Sequence, residues 1–271
     1  MKEVKDTLKR FARKLELAIL PTPIQPAGRL SVLLGSDNVL LKRDDLTGMA
    51  LSGNKVRKLE YCAADAVARG ADILITCGGP QSNHARATAA VAAKLGMGCH
   101  LVLNGTPEAL PEGNLFLDLL FGAGTTFVSL PDLRDQAKSM EEIADAYRSE
   151  GHRPYVIPLG ASDALGSLGY IDAVGEIAGQ VEKVGVIPDR IVFACGSGGT
   201  LSGIVAGCLV HGLNCRVTAI SVAFPAQWFD EKVDEVFSAL REKVLFIHTG
   251  GVFGLFPYRE RFLGQFEKVE Q

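Results

Sequence analysis

The chain has 271 residues, of which 47% are hydrophobic and 22% charged, and a formal net charge of -3. That composition belongs to a globular protein with room for two smaller lobes or one large domain. The mild acidic excess gives no electrostatic reason to expect nucleic acid or an anionic membrane as partner. The six cysteines contain no CxxC pair and mostly fall in apolar runs, the pattern of reduced, buried thiols in a cytoplasmic protein.

Met1 to Glu16 alternates Lys/Arg with Asp/Glu around Val4, Leu8, Phe11 and Leu15 and is expected to form an amphipathic helix. It has neither the apolar core of a secretory signal nor the acid-poor composition of a transit peptide. Pro21-Thr22-Pro23-Ile24 is an extended, proline-stiffened segment. Leu30 to Leu34 and Val39 to Lys42 are expected as short strands about a Gly35-Ser36-Asp37-Asn38 turn. A regular alternation follows: helix 55–69, strand 73–77, helix 82–95, strand 99–103, helix 111–121, strand 126–129, helix 133–149 and strand 155–158. It continues through helix 167–182, strand 191–195, helix 200–211, strand 216–222, a helix near 226–242 and a last strand 244–248. Strands alternating with helices predict an α/β fold with mainly parallel, open twisted sheets flanked by helices. The uncharged run Ile191 to Val210 has the length of a membrane span, but Gly196-Ser197-Gly198-Gly199-Thr200 interrupts it, as a buried strand, turn and helix would require.

Two stretches echo each other. Ile73 to Gly79 and Ile191 to Gly199 each end an apolar strand in a glycine-rich turn, then lead through a small-residue helix into a second strand. Any α/β chain can show such an echo, but ligands on open parallel sheets bind at those strand ends, so two units suggest two sheets facing one cleft. Gly196 to Thr200 at a helix start offers backbone N–H groups and a positive dipole end, an anion site or a bare tight turn. A Walker loop would need GK[ST], and a dinucleotide fingerprint would need an acid where the next strand ends in Ile220-Ser221-Val222. A single phosphate monoester therefore fits best.

Gln81-Ser82-Asn83-His84-Ala85-Arg86 places hydrogen-bonding side chains at the other helix N-terminus, either as cap and surface residues or as a carboxylate and phenolate site. Upstream, Leu51-Ser52-Gly53-Asn54-Lys55-Val56-Arg57-Lys58 bends at Gly53, can be capped by Ser52 or Asn54, and begins a helix at Lys55. Cations are disfavoured there by about 0.3–1 kcal/mol. Lys55 is either a solvated basic residue or a nucleophilic amine with a lowered pKa beside a phosphate. His248 is better explained in a core than as a ligand, and the five scattered histidines give no metal-site spacing. Lysine, phosphate loop and polar loop together suggest pyridoxal phosphate, which needs an amine, an anion site and a donor to its phenolic oxygen.

The motifs PTPIQP, KRDDLTG, LSGNKVRKLEY, CGGPQSNHARATA, GASDALGSLGY, CGSGGT and LFIHTGG, collinear over residues 20–258, resemble one family. It is the pyridoxal-phosphate fold-type II group of D-cysteine desulfhydrase and 1-aminocyclopropane-1-carboxylate deaminase. The resemblance implies a tryptophan synthase β-like fold, with residues 1–58 and 160–271 as a larger cofactor domain and 59–159 as a smaller one inserted in it. It implies Lys55 as the Schiff-base lysine and Lys58 as a phosphate contact. Ser82 would be the proton carrier near the substrate Cα, and Asn83 the partner of the phenolic oxygen. Ser82, Asn83 and His84 would cradle the substrate carboxylate, and Gly196, Ser197, Gly198, Gly199 and Thr200 would bind the phosphate. A histidine after QSN resembles the desulfhydrase branch. The implied reaction is α,β-elimination from D-cysteine to pyruvate, sulfide and ammonia, in a cytoplasmic homodimer. Deamination of 1-aminocyclopropane-1-carboxylate or another small amino acid is the alternative.

The sequence departs from the family at two places. Between Val222 and Val244 the family carries a longer segment, with a glycine-tyrosine loop and a DPxYxGK motif that supply an active-site tyrosine and the group facing the pyridine nitrogen. Here a single helix-like run, Ala226 to Lys243, stands instead, and none of the five tyrosines matches. Asp163 stands where relatives read GSN, a carboxylate expected to be unhelpful near an anionic ligand. A shortened homologue that binds the cofactor without turnover is the second alternative.

Overall fold

The structure is a computed structural model and describes residues 13–243, apart from 36–38, 51–52, 108 and 132–134. Its largest sheet has four parallel strands in the order β5-β4-β3-β6: β3 (Ile73–Gly78), β4 (Gly98–Asn104), β5 (Gly124–Val128) and β6 (Pro154–Val156). All six residues of β3 are buried, which is why its sequence is mostly apolar rather than alternating, with only the hydrogen-bonded Thr76 polar. Alternate side chains enter separate cores. Leu74, Leu101 and Leu103 join Ala85, Ala89 and Val91 of helix α3 (Asn83–Leu95). Ile73, Ile75, Cys77 and Val102 meet Met140 and Ala144 of helix α5 (Gln136–Ser149). Helix α4 (Gly113–Leu120) precedes β5.

A second layer is helical. Helix α2 (Lys55–Ala68) and α6 (Ala164–Val184) pack together, and α6 also packs on α7 (Gly199–His211) and α8 (Ala226–Lys243). Strands β7 (Arg190–Cys195) and β8 (Arg216–Ser221) form a parallel pair, from Arg190 opposite Arg216 to Cys195 opposite Ser221. The uncharged run 191–210 is thus a strand, a turn and a helix, and no described helix is long and apolar enough to cross a membrane. Glycines let these helices approach closely. A β-carbon on Gly169 would lie 2.5 Å from the Arg57 carbonyl carbon and one on Gly207 2.7 Å from Val174 Cβ.

Several expected elements are corrected. Residues 30–34 lie in helix α1 (Gly28–Leu34), not a strand. Their apolar residues run consecutively instead of alternating, Gly35 closes the helix in the left-handed conformation, and the Ser31 hydroxyl accepts the Val39 N–H at 3.1 Å. The antiparallel pair is instead β1 (Ile24–Pro26) with β2 (Leu40–Lys42). Of the expected N-terminal helix, residues 1–12 lie outside the described residues, and 13–16 are not helical. The Leu15 N–H goes to the Glu60 carbonyl, and those of Leu17 and Ala18 go to the Glu60 carboxylate, so α2 supplies their partners. Helix α6 starts three residues earlier than the expected 167, because Asp163 caps it by accepting the Gly166 N–H at 2.7 Å. The last expected strand, 244–248, lies outside the described residues.

The Gly169 contact yields a test. Gly169→Ala sets a methyl group against the Arg57 backbone, which cannot rotate away, and overpacking of this kind costs about 1–3 kcal/mol. Urea unfolding should show that loss, while Gly179→Ala on the same helix, with open space at its β-carbon, should be neutral or stabilising.

Candidate active site

Two lysines stand one helical turn apart at the start of α2. Lys55 is its first residue, with Nζ 3.4 Å from Asn54 Oδ1. Asn54 does not cap the helix with its side chain, as the sequence allowed, and Ser52 lies outside the described residues. The Asn54 amide instead donates to Thr200 Oγ1 at 3.1 Å, tying the lysine's helix to the glycine loop. Burial lowers the Lys55 ammonium to about 8, with a small opposing pull from Cys195. Lys58 is completely buried and donates to the Gly160 carbonyl at 2.5 Å, with Ser162 Oγ 3.4 Å away. Burial, and then the neighbouring Lys55 charge, lower Lys58 to about 7. Neither lysine forms a salt bridge among the described residues.

The glycine loop lies directly over Lys58. Strand β7 ends at Cys195, and 196–198 turn the chain into α7. A β-carbon on Gly199 would lie 2.5 Å from Lys58 Nζ and 2.7 Å from Ser162 Cα, so any larger residue would displace the ammonium. Ser162 holds the loop from below: its Oγ accepts the Gly199 N–H at 3.1 Å and meets Ser197 Oγ at 2.7 Å. Ser167 adds a hydrogen bond to the Gly199 carbonyl at 3.1 Å. Sequence reasoning passed over Ser162 as a site residue, although it stands within the GASDALGSLGY motif. Asp163, expected to disturb an anion, turns its carboxylate to the α6 cap.

The polar loop stands at the start of α3. Ser82 caps this helix, its Oγ accepting the N–H groups of His84 and Ala85 at 3.2 Å each. With both bonds made to its oxygen, the hydroxyl proton is left to point away from the helix. Asn83 is exposed, and its Oδ1 accepts from Asn114 Nδ2 at 3.0 Å, leaving its own NH2 as a donor. Asn114 organises the loop further by bonding Gln81 and Arg86, a role the sequence did not signal. The His84 ring is not brought to the cleft. It is 3% exposed, with Nε2 2.9 Å from Thr76 Oγ1. Thr76 spends its proton on the Ile157 carbonyl, so His84 must donate from Nε2. Burial, then the charges of Lys55 and Lys58, hold this ring well below the usual histidine range, so it is neutral. The Pro158 carbonyl favours the charged form, but forms no hydrogen bond to Nδ1.

Helix α8 is the helix expected near 226–242. A β-carbon on Gly198 would lie 2.7 Å from Lys232 Cγ and 3.3 Å from Trp228 Cζ3, so this helix covers the glycine loop. The described tyrosines are committed elsewhere: Tyr61 to Asp172, Tyr155 to Asp65, Tyr170 to Asp44 and Tyr147 to His100. Tyr258 and His248 lie outside the described residues.

The family described as "Pyridoxal-phosphate dependent enzyme" matches residues 15–244. The chain belongs to that family. A Pyrococcus furiosus protein provisionally named 1-aminocyclopropane-1-carboxylate deaminase is 41% identical over 240 residues, 89% of this chain and 72% of that protein. A D-cysteine desulfhydrase from Klebsiella pneumoniae is 48% identical over 207 residues, 74% of this chain and 61% of the enzyme. The crystal structure of a 1-aminocyclopropane-1-carboxylate deaminase homologue superimposes with a TM-score of 0.83 at 40% identity, covering 90% of this chain and 73% of that one. Diaminopropionate ammonia lyase from Escherichia coli, at 18% identity and a TM-score of 0.62, shares the fold. The fold is fold-type II, and the cofactor is pyridoxal 5'-phosphate.

The residues present fit that group. A buried cation beneath a helix N-terminus, with no salt-bridge partner among the described residues, suits a phosphate. A lysine with a lowered pKa beside it suits an aldehyde.

A lysine lowered by folding destabilises the ligand-free chain in full below about pH 7, and this penalty is relieved as pH rises from there towards 10.5. Lys58→Met should therefore make the ligand-free chain more stable at neutral pH, by a margin that shrinks as pH rises. It should also weaken pyridoxal phosphate binding about tenfold to a hundredfold. Urea unfolding across pH and cofactor titration read the two effects separately; parallel stability profiles for variant and parent would contradict this account.

Proposed function

We propose that the chain is a pyridoxal-phosphate-dependent lyase that converts D-cysteine and water to pyruvate, sulfide and ammonia by α,β-elimination. The observation that carries this reading is the pair of lysines, half-buried Lys55 and fully buried Lys58, beside the loop 196–200 that Ser162 and Asn54 hold in place. The identity to a D-cysteine desulfhydrase and the QSNH sequence at 81–84 favour D-cysteine over other small amino acids. The bound cofactor supplies an electron sink for the carbanion at the substrate Cα.

This chain's residues do the rest. Lys58, the backbone N–H groups of 196–200 and the positive end of α7 hold the phosphate. Lys55, lowered to about 8, keeps an appreciable share of free amine at neutral pH, the form that would hold the cofactor's aldehyde carbon and could carry a proton. The Ser82 hydroxyl, fixed by two N–H bonds, moves the proton at the substrate Cα. Asn83 directs its NH2 to the phenolic oxygen, while the positive end of α3 attracts the substrate carboxylate. His84 acts through position: neutral and bonded to Thr76, it fixes the first turn of α3 without touching substrate. The same reading takes the working unit to be a homodimer in the cytoplasm.

A second reading, a cofactor-binding chain with little turnover, is favoured by one observation: the described tyrosines all point elsewhere, and α8 packs over the glycine loop. Adding pyridoxal phosphate to the intact chain should give a visible absorption band that Lys55→Ala abolishes. D-Cysteine should then yield pyruvate and sulfide in equal amounts, with Ser82→Ala lowering kcat by about 10²–10⁴. That variant should also lose about 1 kcal/mol of stability from its missing cap, a separate readout. Ammonia from 1-aminocyclopropane-1-carboxylate, with no product from D-cysteine, would move the substrate assignment. A band with no product from either would favour the second reading.

A further inference from the structure

Cys208 and Cys215 face each other across the turn that ends α7, with their Sγ atoms 3.8 Å apart. The backbone around them is fixed: the Leu213 N–H donates to the Cys208 carbonyl at 3.0 Å, and the Cys215 N–H to that of Leu213 at 3.1 Å. Both side chains are half-buried, so a small reagent can reach them. The other four cysteines, Cys62, Cys77, Cys99 and Cys195, are buried, and none lies within hydrogen-bonding distance of another thiol. Burial pushes Cys77 and Cys99 up to about 12, which removes them as nucleophiles near neutral pH.

We propose that Cys208 and Cys215 are a reversible oxidation site that closes to a disulfide in the folded protein when it meets a small-molecule disulfide of the glutathione class. A disulfide has an S–S distance of about 2.05 Å, so the sulfurs must approach by roughly 2 Å. Either thiol can donate to the other; with Cys208 donating, the bond favours the Cys215 thiolate against the opposing effect of burial, and the proposal takes Cys215 as the attacking sulfur. Its thiolate attacks one sulfur of the small disulfide, breaks that S–S bond and releases one small thiolate. Cys208 then loses its proton and attacks Cys215 Sγ, expelling the second small thiol. Two protein thiols are oxidised, one small disulfide is reduced, and the two protons pass to the released thiols. The link staples the end of α7 to the loop feeding β8 and leaves the Gly196–Thr200 end of the helix untouched.

The test uses the full chain incubated with glutathione disulfide. The expected result is loss of two hydrogen masses, with four of the six thiols still titratable in denaturant. Fragmentation should locate the link between Cys208 and Cys215, and dithiothreitol should reverse it. Cys208→Ser should instead hold a stable glutathione adduct on Cys215, and Cys215→Ser should stay unlinked; circular dichroism verifies that both are folded. A persistent glutathione adduct on the unmutated chain, a link through any other cysteine, or six unchanged thiols would each overturn the proposal.

Discussion

Arg57 is the interaction on which the site depends. Its side chain is 2% exposed and faces two carboxylates. Nε and Nη2 grip Asp44 at 2.9 and 2.8 Å, while Nη1 reaches Glu176 Oε2 at 3.0 Å. Thr22 adds its hydroxyl to the same guanidinium, Tyr170 donates to Asp44 at 2.6 Å, and Lys42 pairs with Glu176. Burial alone would raise Asp44 and Glu176, but hydrogen bonds and charge from Arg57 outweigh it and hold both below the usual carboxylate range. Two anions and two cations thus balance at one point, which joins the N-terminal segment, the 44–46 turn, α2 and α6. Because Arg57 lies between Lys55 and Lys58, the network fixes the rotation of α2 and with it the direction of both amines.

The contrast between Arg57 and its neighbours explains how one helix can be both anchor and reactive element. Arg57 has two carboxylates beside it; among the described residues Lys55 and Lys58 form no salt bridge, and both are lowered towards neutrality. A chain optimised for stability alone would put apolar residues at 55 and 58, since buried cations without counterions are costly. The unfavourable placement is tolerable because the Arg57 network and the glycine-mediated contacts of α6 with α2 and α7 hold the surroundings rigid. Unfavourable charge placement is offset by order in the surroundings, a combination that marks candidate functional sites.

Much of this was legible in the sequence, for physical reasons that differ by element. Strand β3 was readable because a parallel strand buried on both faces must be a mostly apolar run. The glycine turn before α7 was readable because the close approach of Lys58 tolerates no β-carbon at Gly199. Helix α1 was not, since Leu30 to Leu34 contains consecutive apolar residues whose period distinguishes neither helix nor strand, and the choice falls to the Gly35 cap. The expected N-terminal helix gives way from residue 13 on, where the N–H groups of Leu15, Leu17 and Ala18 find partners on Glu60, a tertiary override invisible locally. Ser162, Asn114 and Thr76 escaped notice because each acts through a partner distant in sequence, and a lone Ser, Asn or Thr carries no periodic signal. His84 shows the converse: it stands in a polar motif, yet its ring turns into the core.

The segment after β8 closes over the glycine loop. Val236 is fully buried and joins Leu168, Ile171 and Ala206, so α8 completes the helical layer formed by α6 and α7. Phe224 stacks on Trp228 at 4.3 Å between ring centroids, and Phe229 packs edge-on against Trp228, which pins the first turn of α8 near the loop. The sheet gains nothing comparable from it. Among the described residues β7 and β8 pair only with each other, and Val192 and Ile220 remain exposed on one face. Burial of apolar surface therefore supports the helix that begins at the glycine loop rather than extending the sheet. The parts of the site that depend on helix ends, Lys58, Ser162 and the loop 196–200, are then independent of further strands. A group facing the far side of the cofactor ring would have to come from outside these elements, which separates the requirements for binding from those for turnover.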